Sequence, residues 1–178
     1  MMKVKPLDWP RGDPNDVKKG WTMKRTVIAV IASLFIIGNL HAADRGTAKE
    51  AMDLVNKAIK YYQENGREKA FAAFHNKKSQ FFYKDLYIFA VDWSPMVIAH
   101  GAARGFVNNP STRDLTDSEG KYFIREMADT AKKKGQGWVD YKWTNPTTKK
   151  IELKSSYVKK VPGADFLIGC GIYKGESN

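Results

Sequence analysis

The sequence predicts an α+β domain in which a five-stranded antiparallel sheet packs with a long N-terminal helix and a further helix. Two observations carry this prediction. Residues 135–173 contain three strand-like runs separated by turns at Asn145-Pro146 and Pro162-Gly163. Apolar residues between Ala48 and Tyr62 instead recur at the spacing of an amphipathic helix. Short turns between consecutive strands favour an antiparallel meander, with the helices packed on one face of the sheet.

Composition favours one globular domain and argues against nucleic acid as a partner. The chain has 178 residues and a formal net charge of +11. The basic residues are scattered, and the local run Lys132–Lys134 lies at a predicted helix end, where cations are favoured. The single cysteine, Cys170, lies in an apolar strand and is expected to be a small buried hydrophobe.

The first 43 residues are expected to lie outside the domain. Residues 1–22 lack an apolar period and are interpreted as an upstream extension. Residues 23–43 combine a basic start, an apolar run and small residues at the end, which is typical of a secretory signal peptide. We therefore expect residues 44–178 to form the domain and the protein to be periplasmic or secreted. The alternative is that the apolar run stays as an N-terminal anchor.

Helices and a hairpin are expected before the meander. The long helix should end at Asn65-Gly66, and a shorter helix should follow from Arg67 to His75. Two apolar runs, Leu86–Val91 and Met96–His100, predict a hairpin. A long loop follows at Gly101–Ser118.

A third helix, Glu119–Lys134, is expected to be capped by Asp117 or Ser118. The meander then comprises strands at Trp138–Trp143, Ile151–Val161 and Phe166–Tyr173. Gly169 and Gly171 share one face of the last strand. Glycines in a strand often mark a close approach to the backbone, so we expect another group to lie against this face.

Several ordered motifs closely resemble the bacterial single Cache domain, the form found outside the membrane in chemoreceptors and sensor kinases. They are Gly66–Ala70, Asp85–Phe89, Ala99-His100, Asp117–Lys121, Gly137–Tyr141, Asn145-Pro146, Lys154–Tyr157 and Gly171–Tyr173. The resemblance covers about residues 44–173. It implies a PAS-like sheet and a pocket for a small organic molecule, which in some relatives is a short carboxylate.

Two departures from the family pattern affect these expectations. Ser94-Pro95 and Gly101 replace the glycine and proline that the family often has around the hairpin, so the pocket rim beside His100 is expected to differ. The chain also ends five residues after Tyr173, which indicates a free-standing Cache domain with a separate partner. The expected partners are a small organic ligand, a transmembrane receptor or histidine kinase, and a second copy of the chain through the N-terminal helix.

The residues favour binding over catalysis. The three histidines have no paired spacing, and no nucleophile or phosphate motif is present, so we expect no catalytic, metal or cofactor residue. The candidate ligand-binding residues are aromatic or carry a hydrogen-bond donor: Tyr87, His100, Trp138, Tyr141, Lys154, Tyr157 and Tyr173. His100 and Trp138 are equally consistent with structural roles.

Alternation leaves two questions open on the strand that carries Lys154. Lys154 lies in the pocket or points to solvent like Lys160, and the resemblance favours the pocket. Tyr157 lies on the opposite face from Lys154, so both reach one ligand only if a bulge interrupts the strand. The sequence thus predicts an exported sensor module in signal transduction or chemotaxis that binds a short carboxylic acid. The alternative is a docking subunit without its own ligand.

Overall fold

The computed structural model describes residues 45–174, and the predicted upstream extension and signal peptide lie outside the described residues. The fold class is confirmed. Two helices and six strands follow in the order α1 (Ala48–His75), β1 (Phe82–Tyr83), β2 (Leu86–Asp92), β3 (Val97–His100), α2 (Phe123–Lys134), β4 (Gln136–Thr144), β5 (Ile151–Lys160) and β6 (Phe166–Tyr173). Across the described residues, no helix is both long and apolar enough to cross a bilayer.

The sheet is antiparallel throughout, with β6 at its centre. The strand order is β1-β2-β6-β5-β4, and β3 also pairs with β2. The pairing of β5 with β6 runs without interruption from Lys154↔Tyr173 to Lys160↔Leu167. The expected five strands are all present, and β1 adds a sixth. With only two residues, β1 is too short to give an alternating pattern in the sequence.

The two helices pack on opposite faces of the sheet, so the expectation that they share one face was wrong. α1 buries Ile88 and Ala90 of β2, whereas α2 lies over the alternate residues Phe89 and Val91. Because successive side chains of a strand point to opposite faces, these two clusters must lie on different sides. As a consequence, β2 is buried from Leu86 to Val91 and β6 at every position except Ile172, since both faces of these strands are covered.

The local backbone explains where α1 is interrupted and where α2 begins. Gly66 has φ 76° and ψ 173°, which interrupts α1 where the sequence predicted one helix to end and another to begin. α2 begins at Phe123, four residues later than expected. The reason is Asp117, whose carboxylate accepts backbone hydrogen bonds from Glu119, Lys121 and Lys142. Asp117 therefore closes a turn against β4 instead of capping the helix.

Candidate ligand-binding site

A small cavity lies between the sheet and α2. Its volume is about 30 Å³, room for roughly two water molecules. The loop after β3 contributes Phe106 and Leu115, so the long loop predicted at Gly101–Ser118 forms one wall. The lining residues are Phe89, Val91, Val97, His100, Phe106, Leu115, Phe123, Ile124, Met127, Tyr141 and Trp143. The cavity is therefore apolar, with polar groups only from His100, Tyr141 and Trp143.

A layer of buried polar side chains adjoins the cavity, and Lys154 lies at its centre. The layer consists of Tyr87, Lys154, Ser156 and Tyr173. Lys154 is fully buried, with 0% of its surface exposed, so the solvent-facing alternative does not hold. Its Nζ atom donates a 2.6 Å hydrogen bond to the Tyr87 hydroxyl. The same atom lies 4.0 Å from the ring centroid of Tyr87 and 4.7 Å from that of Tyr173. Aromatic faces attract a cation, so the two rings offset part of its lost hydration.

Gly171 makes room for the lysine stem. A Cβ atom at Gly171 would lie 2.1 Å from Lys154 Cε and 2.4 Å from Ser156 Oγ. Gly169 plays the same part for Phe89, whose Cζ atom would lie 2.4 Å from an added Cβ. The close approach expected at these two glycines is therefore made by side chains of the domain itself.

The ammonium of Lys154 has no carboxylate partner within the described part of the chain. Burial lowers the pKa of Lys154 to about 7, because removing the ammonium from water disfavours its charged form. Near neutral pH the group is thus close to its midpoint. A nearby anion would shift it to the protonated form.

His100 presents a neutral imidazole of one defined tautomer. Burial, followed by the charges of Lys154 and His75, lowers the pKa of His100 to about 3. Its Nδ1 atom accepts hydrogen bonds from the backbone N–H groups of Ala102 (3.2 Å) and Ala103 (2.9 Å). A neutral imidazole whose Nδ1 accepts carries its proton on Nε2. His100 is therefore a hydrogen-bond donor in the cavity wall.

Two tyrosines connect the cavity to the polar layer. The hydroxyl oxygen of Tyr141 lies 3.0 Å from Ser156 Oγ. Burial raises the pKa of Tyr141 well above its usual range. Tyr173 donates to the Thr144 carbonyl oxygen at 2.9 Å and lies 3.3 Å from the Tyr87 hydroxyl. The Tyr87 ring packs 4.9 Å from the His100 ring. Five of the seven candidates thus converge: Tyr87, His100, Tyr141, Lys154 and Tyr173.

Trp138 and Tyr157 are not part of this group, because they lie on the other face of the sheet. Their rings pack together at 5.4 Å, and the Tyr157 hydroxyl donates to Gln136 Oε1 at 2.8 Å. Trp138 is 38% exposed, and Tyr157 belongs to the cluster under α1. The uninterrupted β5 register contains no bulge, so Lys154 and Tyr157 keep opposite orientations. Both excluded aromatics have structural roles.

Three residues of the site were not among the sequence candidates. Ser156 follows Lys154 by two positions, so alternation places it on the same face, and that signal was available. Phe106 lies in a loop whose path the sequence does not define. Asp85, whose charge opposes the lowering of the Lys154 pKa, is 2% exposed although it is acidic, and only the fold shows that it is buried. No cluster of three potential metal-ligating residues occurs among residues 45–174.

The sequence matches a known protein family and a curated relative. The family model Single Cache domain 2 matches residues 17–178. A curated relative, the sensor histidine kinase MctS of Rhizobium johnstonii, is 36% identical over 90 residues. That alignment spans 51% of this chain and 19% of the kinase, so the matched segment accounts for about a fifth of that protein's length.

Solved structures share the fold. A methyl-accepting chemotaxis protein from Vibrio parahaemolyticus superposes with a TM-score of 0.62 at 21% identity, covering 71% of this chain and 88% of that one. A Cache chemosensory domain described for its carboxylic acid recognition superposes with a TM-score of 0.59 at 21% identity, covering 71% and 92%. At these identities the likeness shows the fold alone.

The fit between Gly171 and Lys154 generates a prediction. Gly171→Ala should reduce the free energy of unfolding by about 1–3 kcal/mol, because the added methyl overlaps a confined side chain. Lys154→Ala in the same protein should remove part of that loss by vacating the space of the stem, whereas the contact with Ser156 Oγ remains. Urea unfolding of the two single variants and the double variant measures this coupling.

Gly169→Ala is the matched control, since its methyl meets Phe89 instead of the lysine. Lys154→Ala should not restore stability in that background. Equal restoration in both backgrounds, or strictly additive losses at Gly171, would contradict the packing described.

Proposed function

Because this chain belongs to the Single Cache domain 2 family, we propose that it is a ligand-sensing module that binds a short carboxylic acid. The family comprises sensor domains like those of chemoreceptors and histidine kinases. The chemical class of the ligand is inferred from the site. One observation carries this inference: Lys154 is a fully buried ammonium without a carboxylate partner among residues 45–174.

The ammonium has donors to spare. A protonated lysine carries three N–H groups, and within the described chain Lys154 uses one of them, on Tyr87. A buried charge without an opposite charge is costly, and a carboxylate supplies both the charge and the acceptors. The Nε2 proton of His100 and the hydroxyl of Tyr141 add donors at the cavity wall. Two further hydroxyls, of Tyr87 and Tyr173, complete the proposed site.

The size and lining of the cavity favour a short ligand. About 30 Å³ cannot hold a drug-sized molecule, and the apolar wall suits a methyl or ethyl group. Lys154 does not itself line the cavity, since the Tyr87 hydroxyl lies on its ammonium. A ligand carboxylate therefore reaches Lys154 by displacing that hydroxyl, with the aliphatic end against Phe106 and Leu115. Larger acids would require the loop that carries these two residues to move.

We propose a separate signalling partner and an exported location as further parts of this function. The partner would be a transmembrane receptor or histidine kinase, and α1 would provide the contact in a homodimer. Export would depend on the signal segment expected at residues 23–43, and the anchored form of that segment is the competing arrangement. Trp138 and Tyr157 have no part in the proposed site.

The ligand proposal predicts a large effect of one lysine and a small effect of another. Lys154→Met keeps most of the stem but removes the charge, so propionate affinity should fall by about 2–5 kcal/mol. Lys160→Met, an exposed position on the same strand, should change affinity by under about 0.5 kcal/mol. Titration calorimetry with propionate on the wild type and both variants measures the difference. At pH 6 Lys154 is mostly protonated, so both variants then lower the net charge by nearly the same amount, which cancels the long-range effect.

A panel of ligands decides the chemical class. At a hundredfold excess over Kd, a bound acid adds about 2.7 kcal/mol of stability and raises the melting temperature by several degrees. Acetate, propionate, lactate and pyruvate should shift melting, whereas simple amines should not. A shift from amines alone, or equal propionate binding by the wild type and Lys154→Met, would refute the carboxylate assignment.

Cell fractionation and intact-mass measurement test the proposed export. After expression of residues 1–178 in a Gram-negative host, the periplasmic fraction should contain a protein that begins at Ala43 or Asp44. Intact-mass measurement of that fraction checks the start. Recovery in the membrane fraction alone would support the anchored form.

A further inference from the structure

Three of the side chains that line the cavity are only partly buried, and they show where the cavity comes closest to solvent. They are Phe106, Leu115 and Trp143, whereas the other eight lining residues are buried. Lys154, below the cavity wall, has no exposed surface. A ligand on its way to Lys154 therefore has to pass one of these three side chains.

Two of the three are held by aromatic contacts. The ring centroid of Phe106 lies 5.5 Å from that of Trp143 and 6.0 Å from that of His100. Trp143 also packs 5.2 Å from Phe123, and it belongs to β4, which pairs with β5 along its full length. Ring contacts and strand pairing both oppose displacement. Leu115 has neither, because it lies in the loop before α2.

Leu115 belongs to a short segment between two fixed points, residues 113–116, which we call the flap. The residues on either side of it, Thr112 and Asp117, are buried. Thr112 Oγ1 accepts a 3.3 Å hydrogen bond from a backbone N–H of β3, and Asp117 accepts one of 3.0 Å from a backbone N–H of β4. Both ends of the flap are thus attached to strands, whereas the residues between them are partly or fully exposed.

Arg125 connects the flap to α2. Its Nε atom donates a 2.9 Å hydrogen bond to the Arg113 carbonyl oxygen, and its Nη2 atom pairs with the Asp114 carboxylate. The guanidinium carbon lies 4.5 Å from the ring centroid of Tyr122, and a cation is attracted to an aromatic face. A planar guanidinium with two acceptors fixes geometry better than a single contact does. Leu115, which follows Asp114, is thereby kept against the cavity.

The flap is packed more weakly than the α2 wall beside it. α2 buries five apolar residues, whereas the 3-10 turn Pro110–Asp114, which includes the first half of the flap, buries only Thr112. Segments with few buried apolar contacts open locally at a low free energy. Within the described chain, the only other side-chain attachment of the flap is a 3.4 Å contact between Arg113 and Ser94. Arg125 is therefore its main restraint.

We propose that the flap closes the entrance to the binding site and that Arg125 is the positioning residue that keeps it closed. We propose further that Leu115 limits the length of the aliphatic chain that the site accepts. The role of Leu115 and the use of the flap as an entrance rest on the proposed function. The restraint by Arg125 does not, because it belongs to the ligand-free protein.

Hydrogen exchange in ligand-free protein tests the restraint. The Leu115 N–H donates to the Thr112 carbonyl oxygen at 3.3 Å, so its exchange reports opening of the flap. Arg125→Met should accelerate this exchange by roughly fivefold relative to the Ile168 amide of the central strand, because a hydrogen-bonded restraint is lost. Asp114→Asn should act in the same direction. Using Ile168 as the reference removes any change in global stability.

Lys133→Met is the matched control for Arg125→Met. It removes another cation of α2, which pairs with Asp129 instead of the flap, so the exchange ratio should stay at the wild-type value.

Stopped-flow binding of propionate tests whether the flap is the entrance. Arg125→Met should raise the association and dissociation rate constants together, each by roughly fivefold, because a site that opens more often fills and empties faster. Lys133→Met should change neither rate constant. Wild-type rate constants in an Arg125→Met protein whose flap exchanges faster would show that the ligand enters elsewhere, which overturns the entrance role.

A series of acids from acetate to pentanoate tests the role of Leu115. Pentanoate has two more methylenes than propionate, and each is worth roughly fourfold in affinity when buried. Leu115→Ala should therefore raise pentanoate affinity relative to propionate by about tenfold, measured by calorimetry. Leu115→Val should change this ratio in the same direction by less. Leu153→Ala is the control, since Leu153 is an exposed leucine outside the cavity, and it should leave the ratio unchanged.

Each part of the proposal has a result that overturns it. An unchanged Leu115-to-Ile168 exchange ratio in Arg125→Met overturns the restraint, whatever acids bind. An unchanged pentanoate-to-propionate ratio in both Leu115 variants overturns the length limit. If the wild type binds no acid of the series, the proposed ligand fails, and the exchange ratio alone decides whether Arg125 holds the flap.

Discussion

The rest of the structure depends on keeping the Lys154 ammonium buried among aromatic and hydroxyl side chains. Burying an isolated charge costs several kcal/mol even after relaxation, and a single hydrogen bond to Tyr87 does not repay that cost. Two tyrosine rings and the field of Asp85 offset part of it. The part of the burial cost that these interactions do not offset lowers the pKa of Lys154 to about 7. A protein that needed only stability would carry an apolar residue here, so the buried lysine favours a functional explanation.

The antiparallel sheet makes this arrangement feasible. Gly171 lies beside Lys154 on the neighbouring strand and leaves the volume that the stem occupies. Uninterrupted pairing between β5 and β6 fixes which residues face α2, so Lys154 and Tyr173 meet on one side. The apolar cavity then lies next to a polar layer, with His100 belonging to the wall of one and packing against Tyr87 in the other. The apolar wall proposed for the aliphatic end of the ligand thus lies next to the lysine proposed to bind its carboxylate.

Much of this was predictable from the sequence. Strand alternation placed Lys154 opposite Tyr157, and the glycine pair indicated the close approach. The side of the sheet covered by each helix was not predictable, because periodicity shows that a face is buried but not what buries it. Asp117 shows the same limit, since the backbone groups that donate to its carboxylate include the N–H of Lys142, which is distant in sequence. The burial of Asp85 likewise depends on contacts with Gly46, far away along the chain.

Proton uptake on binding is the most direct test of the claim that Lys154 is the counter-charge of the ligand. The free lysine has a pKa of about 7, so at pH 8 it is mostly neutral, and pairing with a carboxylate protonates it. Propionate calorimetry in buffers of different ionisation enthalpy should show an uptake of about 0.9 proton at pH 8 and about 0.1 at pH 6. Binding heats that do not depend on the buffer at pH 8 would contradict the account.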